Sequence, residues 1–135
     1  MRKLILGLGV VLALAISIGA LSAGAVTSRN AVAVTLNEFN VVAAFQGARV
    51  GTVTFTVKNT GKIEHEFIVV RTSKPAGSLL KGAEADETGS PGEIGSVKAG
   101  QTKKLSLKLR AGHYALLCNL AGHYKAGQFA DFYIR

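Results

Sequence analysis

The sequence predicts an all-β domain, a sandwich or barrel of short strands. Three observations carry that reading. Apolar and polar residues alternate with period two in several stretches, β-branched residues concentrate there, and turns containing glycine separate them. Little helical period is visible after residue 26.

The chain opens Met1-Arg2-Lys3, and the run from Leu4 to Val26 carries no charge. A short basic start, an apolar stretch and the small-residue exit Ala23-Gly24-Ala25 match a secretory signal. The run is also long enough to span a bilayer at about 1.5 Å per residue, so an uncleaved anchor is the alternative. The small-residue exit favours cleavage before Val26. Either way the rest of the chain is delivered outside the cytoplasm, to the periplasm or the extracellular side of the membrane. Residues 1–25 are therefore read as an export segment and residues 26–135 as one domain of ordinary size. Loss of Arg2 and Lys3 lowers the formal charge from +8 to +6. That balance suits acidic partners or anionic membrane surfaces. Without a basic run or an interleaved aromatic platform, nucleic acid is not an expected partner.

Along the domain, Val32, Val34 and Leu36 alternate with Ala33 and Thr35, which predicts a first strand. Val50 to Val57 is a second, rich in β-branched residues. Asn59-Thr60-Gly61-Lys62 signals a turn, and Ile63 to Arg71 follows as a strand. Within it His65 shares a face with Ile63, Phe67 and Val69, while Glu64 and Glu66 point the other way. Residues 72–92 hold Pro75, Gly77, Gly82, Gly89 and Pro91 and read as a long loop with at most a short helical turn. Its acids, Glu84, Asp86 and Glu87, lack the spacing of a calcium loop. After the turn Ala99-Gly100-Gln101, Lys103, Leu105, Leu107 and Leu109 alternate with Lys104, Ser106, Lys108 and Arg110, an apolar face backed by a solvated basic one. Two further strands are expected near Tyr114–Cys118 and Phe129–Ile134.

Cysteine usage narrows the chemistry. Cys118 is the sole cysteine, so no intrachain disulfide can form, and a lone thiol in an oxidising compartment must be buried or bound. Five residues beyond it stands His123, and five beyond that Gln128, across the glycine-containing stretch Asn119-Leu120-Ala121-Gly122. A strand-loop-strand of this length can fold thiolate and imidazole onto one metal while the next strand offers a fourth group. Soft thiolate favours Cu(I), imidazole serves both copper oxidation states, and a trigonal His₂Cys set with a weak axial donor suits blue copper. Zinc accepts the same donors, but the usual affinity order and the trigonal set favour copper.

A second imidazole must come from His65 or His113. Taken alone, His65 in an apolar row reads as a satisfied core histidine; beside a Cys-His loop lacking one nitrogen it becomes a ligand candidate. His113 lies five residues before Cys118, on the opposite face of an extended segment and about 16 Å away, so it is assigned to the far end of the domain as a non-ligand. Tyr114 beside it is expected to close a turn through its hydroxyl.

Asn59 to Phe67, Gly112 to Cys118 and the pair Gly122-His123 together resemble the plastocyanin- and azurin-like cupredoxins. The resemblance covers residues 31–135. It implies a cupredoxin-like Greek-key β-sandwich or barrel and one type 1 copper cycling between Cu(I) and Cu(II). It also implies one-electron transfer through the exposed edge of His123, where a redox partner protein would dock. One position departs from the pattern. The family usually places an axial methionine after the second histidine, whereas the sole methionine here is Met1. Gln128 stands in its place and resembles the glutamine of stellacyanin-type sites; the alternative is a Gln128 that faces solvent or a neighbouring group. An amide oxygen is harder than a thioether and favours Cu(II), which implies a lower reduction potential.

The expected function is thus that of an exported, monomeric electron carrier with His65, Cys118, His123 and Gln128 as the metal set. Copper carriage, storage or sensing without redox turnover is the alternative, although Met-rich and His-rich tracts are lacking. An enzyme is not expected. A further copper centre would need more histidines or a second cysteine, and a buried Cys118 gives substrate no open access.

Overall fold

The computed structural model describes residues 29–135. The export segment expected at 1–25 lies outside the described residues. Within them, eleven strands run in chain order: β1 (Ala31–Asn37), β2 (Asn40–Ala43), β3 (Gly47–Ala48), β4 (Gly51–Asn59), β5 (His65–Arg71), β6 (Leu80–Lys81), β7 (Glu84–Ala85), β8 (Gly92–Val97), β9 (Thr102–Leu109), β10 (Gly112–Leu117) and β11 (Phe129–Ile134). A single 3₁₀ turn, Ala76–Ser78, precedes β6. Among the described residues no helix is long and apolar enough to cross a membrane.

Two sheets face each other. One has the order β2-β1-β4-β9 and the other β3-β11-β10-β5-β8, with β6 and β7 forming a separate small hairpin. β1 runs parallel to β4, while β4 and β9 pair antiparallel from Gly51–Leu109 to Lys58–Thr102. Alternation along β1 turns Val32, Val34 and Leu36 inward, and β4 does the same with Val53, Phe55 and Val57. They meet Phe67, Val69, Leu116, Phe132 and Ile134 of the second sheet. Phe55 centres this core, its ring 5.3 Å from Phe67 and 5.6 Å from Phe132.

A second apolar cluster explains why β5 and β10 lack clean alternation. Ile68, Val70, Ala115 and Leu117 point away from the sandwich core, yet they are buried beneath Ala76, Leu79 and Ala85 of the 72–92 segment and Tyr124. Strands covered on both faces read as continuous apolar runs. The expected long loop is therefore a lid over the outer face, carrying the 3₁₀ turn and the β6–β7 hairpin.

Two expectations need correction. Ile63 is not on the buried face of the strand: β5 begins at His65, and Ile63 is 43% exposed in the preceding turn. The pairing of β5 with β8 shifts register between His65 and Phe67 with the extra residue on β8, so alternation along β5 is kept and His65, Phe67 and Val69 are all buried on one face as expected. Cys118 lies one residue past the end of β10 rather than within it. Tyr114 does close a turn, donating from its hydroxyl to the carbonyl of Arg110 at 2.9 Å.

Candidate metal centre

His65 enters from the first residue of β5, Cys118 from the residue after β10, and Gln128 from the residue before β11. β5 and β10 are neighbours, as are β10 and β11, so three strand ends converge at one end of the sandwich. His123 is carried by the loop between β10 and β11. That loop is closed at its base by the amide of Cys118 donating to the carbonyl of Gln128 at 3.1 Å. Inside it, His123 N–H donates to Leu120 O at 2.9 Å and Gly127 N–H to Tyr124 O at 3.0 Å. Gly122 and Gly127 adopt φ values of +84° and +102°, which a β-carbon would disfavour. These contacts fold the loop tightly enough to return His123 towards Cys118.

The donor atoms of His65, Cys118 and His123 all lie within 4.8 Å of one another. Nδ1 of His65 is 3.3 Å from Nδ1 of His123, and Cys118 Sγ is 3.4 Å from that same nitrogen. Donors about 2.0–2.3 Å from one first-row ion, arranged in a trigonal plane, stand about 3.5–3.8 Å apart. The observed spacings are close to that. His65 and Cys118 are wholly buried, whereas His123 is partly exposed, with the ring of Phe39 edge-on at 5.1 Å.

Gln128 is wholly buried, which removes the solvent-facing alternative. Its amide nitrogen donates to the carbonyl of Asn37 at 3.0 Å, lies 3.4 Å from that of Asn40, and points at Nδ1 of His65 at 3.1 Å. Two carbonyl acceptors identify this end of the amide as the NH₂ group. The other end, Oε1, is buried with no hydrogen-bond partner. A buried acceptor without a donor is costly, and a cation beside it would satisfy the missing interaction.

Burial favours the uncharged forms of both the His65 imidazole and the Cys118 thiol. Burial is the main cause that lowers the His65 pKa, and the neighbouring His123 lowers it further, against a smaller opposing pull from Glu38. Burial likewise raises the Cys118 thiol, opposed by the backbone N–H groups of Glu66 and Leu120. The Glu66 amide donates to Sγ at 3.3 Å, support that a thiolate would use. Glu66 itself is pushed up by burial, partly offset by the Asn119 N–H that donates to its carboxylate.

His113 stands apart from this cluster. Its two ring nitrogens meet Thr72 O at 3.0 Å and Asp131 Oδ1 at 2.8 Å. Sequence reasoning missed other contributors. Asn59, wholly buried, donates to Ile63 O at 2.7 Å and Val97 O at 2.8 Å and accepts from Gly61 N–H, shaping the turn into His65. Glu38 brings its carboxylate to 3.6 Å from Nε2 of His65. Tyr124 is buried; its hydroxyl accepts from Leu79 N–H and donates to Ala76 O, pinning the lid to the His123 loop.

This architecture is the cupredoxin fold. The chain is similar to auracyanin from the photosynthetic bacterium Roseiflexus castenholzii, solved in a dithionite-reduced form, with 18% identity over 80% of this chain and 98% of that one, at a TM-score of 0.60. Rusticyanin from Thiobacillus ferrooxidans aligns with a TM-score of 0.60 and 17% identity, covering 80% of this chain and 79% of the other. Auracyanin A, a "blue" copper protein from Chloroflexus aurantiacus, aligns at 0.53 and 19% identity over 78% and 99% of the two chains. No protein-family model matches the chain, and a search of the curated proteins finds no match.

Proposed function

We propose that the protein is an exported type 1 copper protein that carries single electrons, with His65, Cys118 and His123 as its copper ligands and Gln128 Oε1 as a weak axial donor. The observation that carries this reading is the convergence of two imidazoles and the sole thiol within 4.8 Å, at the end of a cupredoxin fold. The similar auracyanin A is described as a "blue" copper protein, and the Roseiflexus auracyanin was solved reduced, which supports a redox role for the same kind of site.

Bound copper would supply a one-electron couple. The protein's own part is to hold the donors still. Cys118 is braced by the Glu66 amide, and His123 by its loop and the Phe39 ring. Donors fixed before the metal arrives need little rearrangement when its charge changes, which favours electron transfer over reversible carriage. His123 is the one of the three that reaches the surface, so its edge and the exposed Phe39 beside it form the expected docking point for a redox partner.

Voltammetry of the copper-loaded protein, with a chelator challenge in parallel, tests the assignment. The expected result is a reversible one-electron wave and slow loss of copper. Rapid surrender of copper with no reversible wave would instead support a carriage or storage role.

A further inference from the structure

The turn that joins β1 to β2, Asn37-Glu38-Phe39-Asn40, meets three of the four candidate donors from one side. The Asn37 and Asn40 carbonyls face the Gln128 amide, the Phe39 ring meets His123, and the Glu38 carboxylate faces His65. The carboxylate is anchored independently of the imidazole. It accepts from the backbone N–H of Lys62 at 2.6 Å and of Ile63 at 3.0 Å. The carboxylate occupies the space that a β-carbon at Gly61 would enter, so a larger residue there would push it from this position. The turn before β5 is thus shaped to receive this one side chain.

Proton bookkeeping at His65 points the same way. The Gln128 amide nitrogen can only donate, so Nδ1 of a neutral His65 accepts and the ring proton sits on Nε2. Nε2 is buried without a hydrogen-bond partner, and Glu38 is the only carboxylate within 4.0 Å of it among the described residues.

We propose that Glu38 is the positioning residue for His65: its carboxylate, 3.6 Å from Nε2, draws the ring proton to that nitrogen, favours the tautomer that presents Nδ1 to the metal, and favours Cu(II) over Cu(I). The inference rests on the copper assignment above. A carboxylate behind a ligating imidazole raises its basicity, and removing such a partner typically costs about 10–100-fold in metal affinity.

The test compares full-length wild type, E38Q and E38A by two readouts. In the metal-free protein, imidazole ¹⁵N shifts report the His65 tautomer. Wild type and E38Q are expected to hold the Nε2–H form, since a carboxamide oxygen also accepts, whereas E38A, left with only the Gln128 amide to favour that form, is expected to show a measurable share of the Nδ1–H tautomer. In the copper-loaded protein, E38Q is expected to lower the Cu(II)/Cu(I) affinity ratio about tenfold, a potential rise of about 59 mV for one electron. E38Q keeps an acceptor for the Lys62 and Ile63 amides, so a misfolded E38A leaves that arm intact. A wild-type His65 in the Nδ1–H form, or an E38Q ratio within twofold of wild type while the thiolate-to-copper band persists, overturns the role of Glu38 and leaves the copper assignment standing. A wild-type protein without that band overturns the copper assignment, and the tautomers of wild type and E38A then still decide whether Glu38 orients His65.

Discussion

The amide nitrogen of Gln128 stands 3.1 Å from Nδ1 of His65, with the carbonyls of Asn37 and Asn40 on its other side. This places Gln128 in contact with the metal cluster and leaves its buried oxygen without a partner. That unsatisfied oxygen is the atom proposed above as the axial donor.

Replacing that oxygen with a thioether should favour Cu(I). Gln128→Met is expected to raise the reduction potential and to alter the copper EPR spectrum. An unchanged potential and an unchanged spectrum would mean that the glutamine does not touch the metal.

Cys118 gives a pH-dependent signature. Burial raises its thiol above the ordinary value, so the thiolate fraction of the metal-free protein at pH 8 is smaller than that of an exposed cysteine. A disulfide reagent should therefore react much more slowly with the folded metal-free protein than with the urea-unfolded chain. The folded rate should climb with pH beyond the point where the unfolded rate has levelled. Equal rates at pH 8 would contradict the burial and its effect on the thiol.

Asn59 holds the turn ahead of His65 with three hydrogen bonds, two of them donated to backbone carbonyls. Asn59→Ala leaves those groups unsatisfied and should cost about 2–3 kcal/mol in urea denaturation. It should also weaken copper binding, because the turn sets the start of β5. A loss below about 0.5 kcal/mol would show that the turn stands without it.

Tyr124 joins the lid to the loop that carries His123. Tyr124→Phe keeps the ring among Ile68, Leu79 and Leu117 but removes the hydroxyl bonds, for an expected loss of about 1–2 kcal/mol. Hydrogen exchange should quicken at the Leu79 amide first. Unaltered exchange there would contradict the link.

Much of this architecture was legible because its signals are local. Alternation predicts β1, β4 and β9, and the spacing of Cys118, His123 and Gln128 predicts a loop that brings them together. The short strands β2 and β3 and the glycine-containing β8 carry too little pattern to be read. Ile63 misleads because an apolar residue beside a strand resembles its first member, whereas the Asn59 turn lifts it into solvent. Glu38 could not be found at all. Its partners, Lys62, Ile63 and His65, lie 24 to 27 residues away, and only the pairing of β1 with β4 brings them near.

The most direct test of the copper assignment is to add Cu(II) to the purified metal-free protein and record its visible spectrum, beside Cys118→Ser. The account predicts an intense thiolate-to-copper charge-transfer band in wild type that the serine variant lacks. A colourless wild-type protein whose thiol still reacts freely after copper is added would contradict it.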